Sequence, residues 1–177
     1  MNLFPVPTVY LIDACSIIRL DGKDRNPPAV PYTVREKKLI WEGLEDLADE
    51  GRLKLIKQVK EELSRHDPNG LKILKQYPGQ KLIIRRTAEV IRLYRTITTN
   101  HPDLIKGGSR FDPADPWLIL AAEKYDYTII TEELLKSERT TLKPRKRNME
   151  RIPDVCKIRP ISDAIKLRDL AKQEGWI

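Results

Sequence analysis

Residues 9–18 read Val9-Tyr10-Leu11-Ile12-Asp13-Ala14-Cys15-Ser16-Ile17-Ile18. Four consecutive apolar residues of β-branched and aromatic character fit a strand buried on both faces. The run breaks at a single acid, Asp13, and resumes as a short segment suited to a helix or turn. An acid so placed stands at the carboxyl end of the strand that opens the chain, the edge at which open parallel sheets keep their sites. A carboxylate there is costly to bury unless a counter-charge meets it, and a divalent cation is one such.

Working outward, residues 21–32 are rich in proline and polar residues and read as a loop. Thr33 and Glu36 form a capping box for a helix whose inner face carries Leu39, Ile40, Leu44 and Leu47, ending near Gly51. Residues 53–56 read as a short strand. Residues 58–65 read as a helix on which Val59, Glu62 and Leu63 share a face, and Asp67-Pro68 restart a helix to about Tyr77. Residues 82–84 fit either a strand or an extended link. A helix over 87–99 would turn Val90, Ile91 and Tyr94 inward, and Gly107-Gly108-Ser109 reads as a break. Asp112-Pro113 then open a helix through Ala122. Residues 127–131 form a second buried strand, 138–151 a basic loop and 152–156 a short turn or helix. Ser162 caps a last helix to about Gln173. Alternating strands and helices make the class α/β with a parallel sheet, and 1–177 reads as one domain.

Composition narrows the function. Hydrophobic residues make up 40% of the 177, which suits a packed core. A net charge of +7 that coexists with 26 acids fits a polyanionic partner better than a membrane surface. Cys15 and Cys156 are the only cysteines and His66 and His101 the only histidines, which argues against a disulfide framework, structural zinc or a histidine metal site. No basic segment leads into a long apolar run, and none approaches the roughly 18 residues of a membrane helix. The expected setting is therefore cytoplasmic. No P-loop or Gly-x-Gly-x-x-Gly run points to a nucleotide cofactor.

Three more acids stand where Asp13 does, beside apolar segments that fold inward. Glu62 shares the inner face of its helix, whereas Glu61 points elsewhere. Asp115 precedes Leu118, Ile119 and Ala122 by three, four and seven residues, and so begins their buried stripe. It is also a helix-cap candidate, with Asp112 the better one. Glu133 follows the second buried strand, and Glu132 is its alternative. Brought to one sheet edge, these like charges would repel unless neutralised, and an all-oxygen set without histidine favours Mg²⁺ or Mn²⁺ over zinc.

The chain resembles the PIN-domain nucleases, in a toxin-like branch with an Ile-Pro-Asp-Val-Cys segment near its end. The pieces that carry the resemblance are residues 10–18, Val59-Lys60-Glu61-Glu62-Leu63, the segment 115–122 beginning Asp115-Pro116-Trp117, Ile129-Ile130-Thr131-Glu132-Glu133, and Ile152-Pro153-Asp154-Val155-Cys156. They occur in the family's order over about the whole chain. The resemblance implies a three-layer α/β/α sandwich with a central, mostly parallel sheet, and a Mg²⁺- or Mn²⁺-dependent ribonuclease. Asp13, Glu62 and Asp115 match the acids most typical of the metal site, Glu133 a fourth position that is often Asp, and Asp154 an acid of the branch motif. Asp154 and Ser16 are possible accessory residues. A cognate antitoxin and a homodimer are the partners that the resemblance implies. The chain departs from the pattern at Cys15, where Asn or Ser commonly steadies the first acid, and at Glu133, whose arm is longer than that of Asp.

RNA phosphates would meet Lys143, Arg145, Lys146, Arg147 and Arg151, contacts that position a polyanion without reading its bases. A rival reading is a PIN-like module that binds nucleic acid or protein without catalysis. An aspartyl phosphotransferase is disfavoured because Cys15 stands where such enzymes place a second Asp.

Overall fold

The computed structural model describes residues 7–23, 30–76, 81–105, 113–140, 142–159, 161 and 163–177, with Arg145 and Lys146 described by backbone alone. Strands β1 (Tyr10–Ile12), β2 (Leu53–Lys54), β3 (Thr128–Ile130) and β4 (Ala164–Ile165) form one sheet in the order β2-β1-β3-β4, parallel at every pairing. Leu11, Ile12, Ile129 and Ile130 have no exposed surface, so both faces of the central strands are covered. That is why their sequences are continuous apolar runs rather than alternating ones. The fold is α/β, with helices packed on the two faces in three layers, as the sequence predicts.

The helices are α1 (Ala14–Leu20), α2 (Val34–Asp49), α3 (Lys57–His66), α4 (Pro68–Leu74), α5 (Ala88–Asn100), α6 (Ala114–Tyr125), α7 (Pro144–Asn148), α8 (Ile152–Cys156) and α9 (Leu167–Gln173). The capping box of α2 forms as predicted: Glu36 N–H donates to Thr33 Oγ1 at 3.1 Å and Thr33 N–H donates to Glu36 Oε2 at 2.8 Å. Gly43 on α2 lets Trp176 press against the helix, since a Cβ there would lie 2.1 Å from the indole ring. Helix α6 is buried almost all round and touches α3, α5, α8 and β3, which makes it the centre of the packing. One core unites sheet and helices.

The structure revises several sequence-level expectations. Residues 82–84 form an extended link joined to the sheet by a bridge between Lys81 and Leu55, where the Leu82 N–H donates to the Leu55 carbonyl at 3.0 Å. Ile91 is 40% exposed, because the inward stripe of α5 runs instead through Val90 and Ile97, with Tyr94 stacked on Trp117. Pro113 occupies the cap of α6 rather than its first turn. The 138–151 segment is not a plain loop: it contains α7 and the fully buried Arg139. Strand β4 goes unannounced in the sequence because a two-residue, half-buried strand has no periodicity to read. The last helix starts at Leu167 after Lys166 rather than at Ser162, because β4 takes residues 164–165, while the predicted break at 107–109, and Tyr77, Asp112 and Ser162, lie outside the described residues.

Candidate functional site

From β1 the chain crosses to β2 on one side, and β3 pairs on the other. The strand order therefore reverses at the carboxyl ends of β1 and β3, the switch point where such sheets bind ligands. Ile12 pairs with Ile130, so Asp13 and Thr131 leave the sheet side by side. Thr131 Oγ1 donates to Asp13 Oδ2 at 3.0 Å. The Cys15 thiol donates to the same oxygen, and the Glu132 N–H donates to Cys15 Sγ at 3.3 Å. The hydrogen bond that the departure at Cys15 put at risk is thus supplied by sulfur, with Thr131 beside it. Ser16 is fully buried and spends its hydroxyl on the Ile130 carbonyl at 3.2 Å, so it braces the turn rather than facing a ligand.

In front of this corner lies a cleft of about 410 Å³ whose walls include Glu62 from α3, Asp115 from the first turn of α6, and Glu133 after β3. Asp13 sits behind the lining, 5% exposed. The four acids that the sequence singled out are close enough to feel one another's charge. Burial pushes the Asp13 carboxyl up to about 7, with Glu133 and Glu62 adding to the rise and the Cys15 and Thr131 hydrogen bonds opposing it. Burial, then Glu133, Asp13 and Glu62, push Asp115 well above the ordinary carboxylate range against the pull of Arg151. Glu62 is raised by burial, opposed by His66 and Arg65.

Glu132 and Glu133, adjacent in sequence, part company. Glu132 is buried and fully engaged: it accepts from Tyr32 Oη at 3.1 Å, from the Leu167 N–H at 2.9 Å and from Arg19 at 3.3 Å. Glu133 turns into the cleft, where Oε1 pairs with Arg151 Nη1 and Oε2 accepts the Ile152 N–H at 3.1 Å. Asp154 stands apart from the cleft. It accepts from the Lys136 N–H at 2.7 Å, from the Arg151 N–H at 3.0 Å and from the Arg139 guanidinium. Its work is to fasten α8 and the backbone of Arg151. Of the expected phosphate contacts, Arg151 lines the acid cleft. Arg147 lines a separate hollow with Lys136 and Asp154, and Lys143 is exposed at the start of α7. The side chains of Arg145 and Lys146 lie outside the description.

A family model for a domain of unknown function, DUF4411, matches residues 10–176. The chain belongs to the DUF4411 family. No curated protein and no solved structure matches the sequence.

Does the DUF4411 cleft suit a divalent cation? The donor chemistry does: the set is carboxylate oxygen, and the half-buried Asp115 meets no hydrogen-bond donor among the described residues. The spacing is wider than a finished ligand shell, since among the described residues no three acidic, histidine or cysteine side chains gather tightly enough to hold one ion. Glu133 fits least, because both its oxygens are already taken. The sequence reading did not single out Thr131, nor Arg65, His66, Asp103 and Glu150, all four of which line the cleft. Arg65 and His66 were findable, standing three and four residues beyond Glu62 on the same helix face. Asp103 and Glu150 reach the cleft only through tertiary packing, with the Glu150 N–H donating to Asp103 at 2.9 Å.

Proposed function

We propose that this DUF4411 protein is a metal-dependent endoribonuclease that hydrolyses RNA phosphodiester bonds in the acid cleft, with Mg²⁺ or Mn²⁺ as its ion. One observation supports the reading: Asp13, Glu62 and Asp115 lie near one another at the strand switch point with no ion-pair partner among the described residues, at a cost to the fold that a bound cation would relieve. Asp13, Asp115 and Glu62 are the residues that would hold the ion. When bound, such an ion supplies Lewis acidity and screens charge that builds up on a phosphate. Glu62, partly open to solvent and more basic than an ordinary carboxylate, would take a proton from water in the cleft. Arg151, held at the cleft by Glu133, offers its remaining donors to a phosphate oxygen. The resemblance to PIN-domain toxins adds a role as one half of a toxin–antitoxin pair, working in the cytoplasm with an antitoxin and a second copy as partners. For location the structure supplies only that no helix among the described residues is long and apolar enough to cross a membrane.

The closed Glu133–Arg151 pair and the wide spacing of the acids favour a second reading, a binding module without catalysis. One experiment separates the two: incubation of labelled RNA with Mg²⁺ or Mn²⁺, against EDTA and an Asp13→Asn variant. The nuclease predicts cutting that needs metal and falls to background in the variant. The binding module predicts no cutting, and RNA retention indifferent to metal.

A further inference from the structure

We propose that the outer face of α5, from Arg85 in the preceding link to Asn100, binds the phosphate backbone of single-stranded RNA and leads it into the acid cleft. The proposal deepens the ribonuclease reading and rests on it for the identity of the polyanion.

Two sets of arginines contrast among the described residues. Arg19, Arg52, Arg139, Arg151, Arg159 and Arg168 are each paired with a carboxylate. Arg85, Arg92 and Arg95 are exposed, and among the described residues their guanidinium groups have no hydrogen-bond or ion-pair partner. Helix α5 carries a single acid, Glu89, and Lys124 already engages it at 3.4 Å. The positive face is thus uncompensated among the described residues; Arg35 near the start of α2 is likewise exposed without a partner there, but as a single arginine rather than a row.

Helical spacing turns Arg92, Arg95 and Thr99 to one side, at positions i, i+3 and i+7. They line a shallow groove with Asn100 and Ile91. Guanidinium, hydroxyl and amide groups are the side chains that contact phosphate and sugar. Ile91 and Ala88 are the only apolar members, too little for the face of an acidic protein helix, so a nucleic-acid backbone is the better match.

Position supplies the link to the cleft. The groove ends at Asn100, and three residues later Asp103 lines the acid cleft together with Leu104 and Ile105. Three Cα–Cα steps span at most about 11 Å, so a strand lying along α5 needs little further length to reach the acids.

The test is fluorescence anisotropy of a labelled unstructured RNA with the full chain in EDTA, where binding is read without cutting. Wild type is compared with Arg92→Gln/Arg95→Gln and with Lys143→Gln/Arg147→Gln, each checked for an unchanged melting curve. Losing two single-strand phosphate contacts should lower the slope of log affinity against log salt by about 1.4 and weaken binding several-fold at about 0.2 M salt. The Lys143/Arg147 variant should change less. The proposal is overturned if the α5 variant keeps the wild-type slope, if the two variants lose equally, or if the chain binds poly-glutamate and not RNA. RNA binding that depends on α5 without metal-dependent cutting would sink the nuclease and spare this surface. Cutting with binding unmoved by the α5 changes would do the reverse.

Discussion

Two buried groups of charge lie one arginine apart and are built on opposite terms. In the knot around Arg139, which is 1% exposed, the guanidinium meets Asp154 and the carbonyls of Arg147 and Met149, and Asp154 meets the N–H groups of Lys136 and Arg151 as well. In the cleft, Arg151 pairs with Glu133 alone, and burial drives Asp13, Glu62 and Asp115 toward protonation. The knot fastens the 133–154 segment; the cleft leaves a demand for positive charge. Satisfied burial is a mark of stability, and unsatisfied burial in a concave site is a mark of function.

The comparison can be broken most severely at the knot. Arg139→Met should cost on the order of 3 kcal/mol in urea unfolding, because the half-buried Asp154 loses its cation and the Arg147 and Met149 carbonyls lose their buried donor. A loss near zero would mean that the knot fastens nothing.

The cleft should behave oppositely. Asp13 has a folded-state value near 7 against an ordinary 3.8, so between those limits the folded chain holds more protons than the unfolded one. Stability in chelator should therefore fall as pH rises through that window. Asp13→Asn should flatten this dependence and leave the protein more stable than wild type at about pH 8, a sign opposite to that of the knot variant. Urea midpoints across the window decide it, and a wild-type stability that climbs with pH would refute the under-compensated cleft.

A finer cut runs between neighbours. Glu132→Gln should cost about 1.5 kcal/mol, the loss of a charge-assisted contact to Arg19, and leave RNA cleavage close to wild type. Glu133→Gln should be nearly neutral for stability, because relief of its repulsion with Asp13 and Asp115 offsets the lost pair with Arg151, yet change cleavage through Arg151. Equal effects of the two would erase the distinction between braced and working acid.

The smallest expected effect is a rise of a few degrees in melting temperature on adding Mn²⁺ at about pH 8, from preferential binding to the folded state. The rise should shrink near pH 5, where protons compete, and vanish in Asp13→Asn. Differential scanning fluorimetry reads all three arms.

Much of this was legible in the chain itself. Residues 9–12 and 127–131 announce buried parallel strands because a strand covered on both faces carries a continuous apolar run. The Thr33–Glu36 box forms because its partners are local. Asp13, Glu62, Asp115 and Glu133 were findable as acids beside core-facing stripes, and the structure brings them within range of each other's charge. Strand β4 and α7 were not legible, being too short to carry a period. The inward tilt expected for Ile91 failed because a helix face is chosen by what packs against it, here α6 through Trp117.

By itself, then, the sequence determined the α/β class, the two central strands and the candidate acids, since periodicity, capping and burial cost act over a few residues. Tertiary structure alone decided which of Glu132 and Glu133 enters the cleft, that Asp154 fastens a helix, that Thr131 joins Cys15 in supporting Asp13, and that Arg92 and Arg95 of α5 have no partner among the described residues. The Thr131–Asp13 and Arg151–Glu133 contacts join residues 118 and 18 apart in the chain, and no local pattern encodes a contact made at that distance.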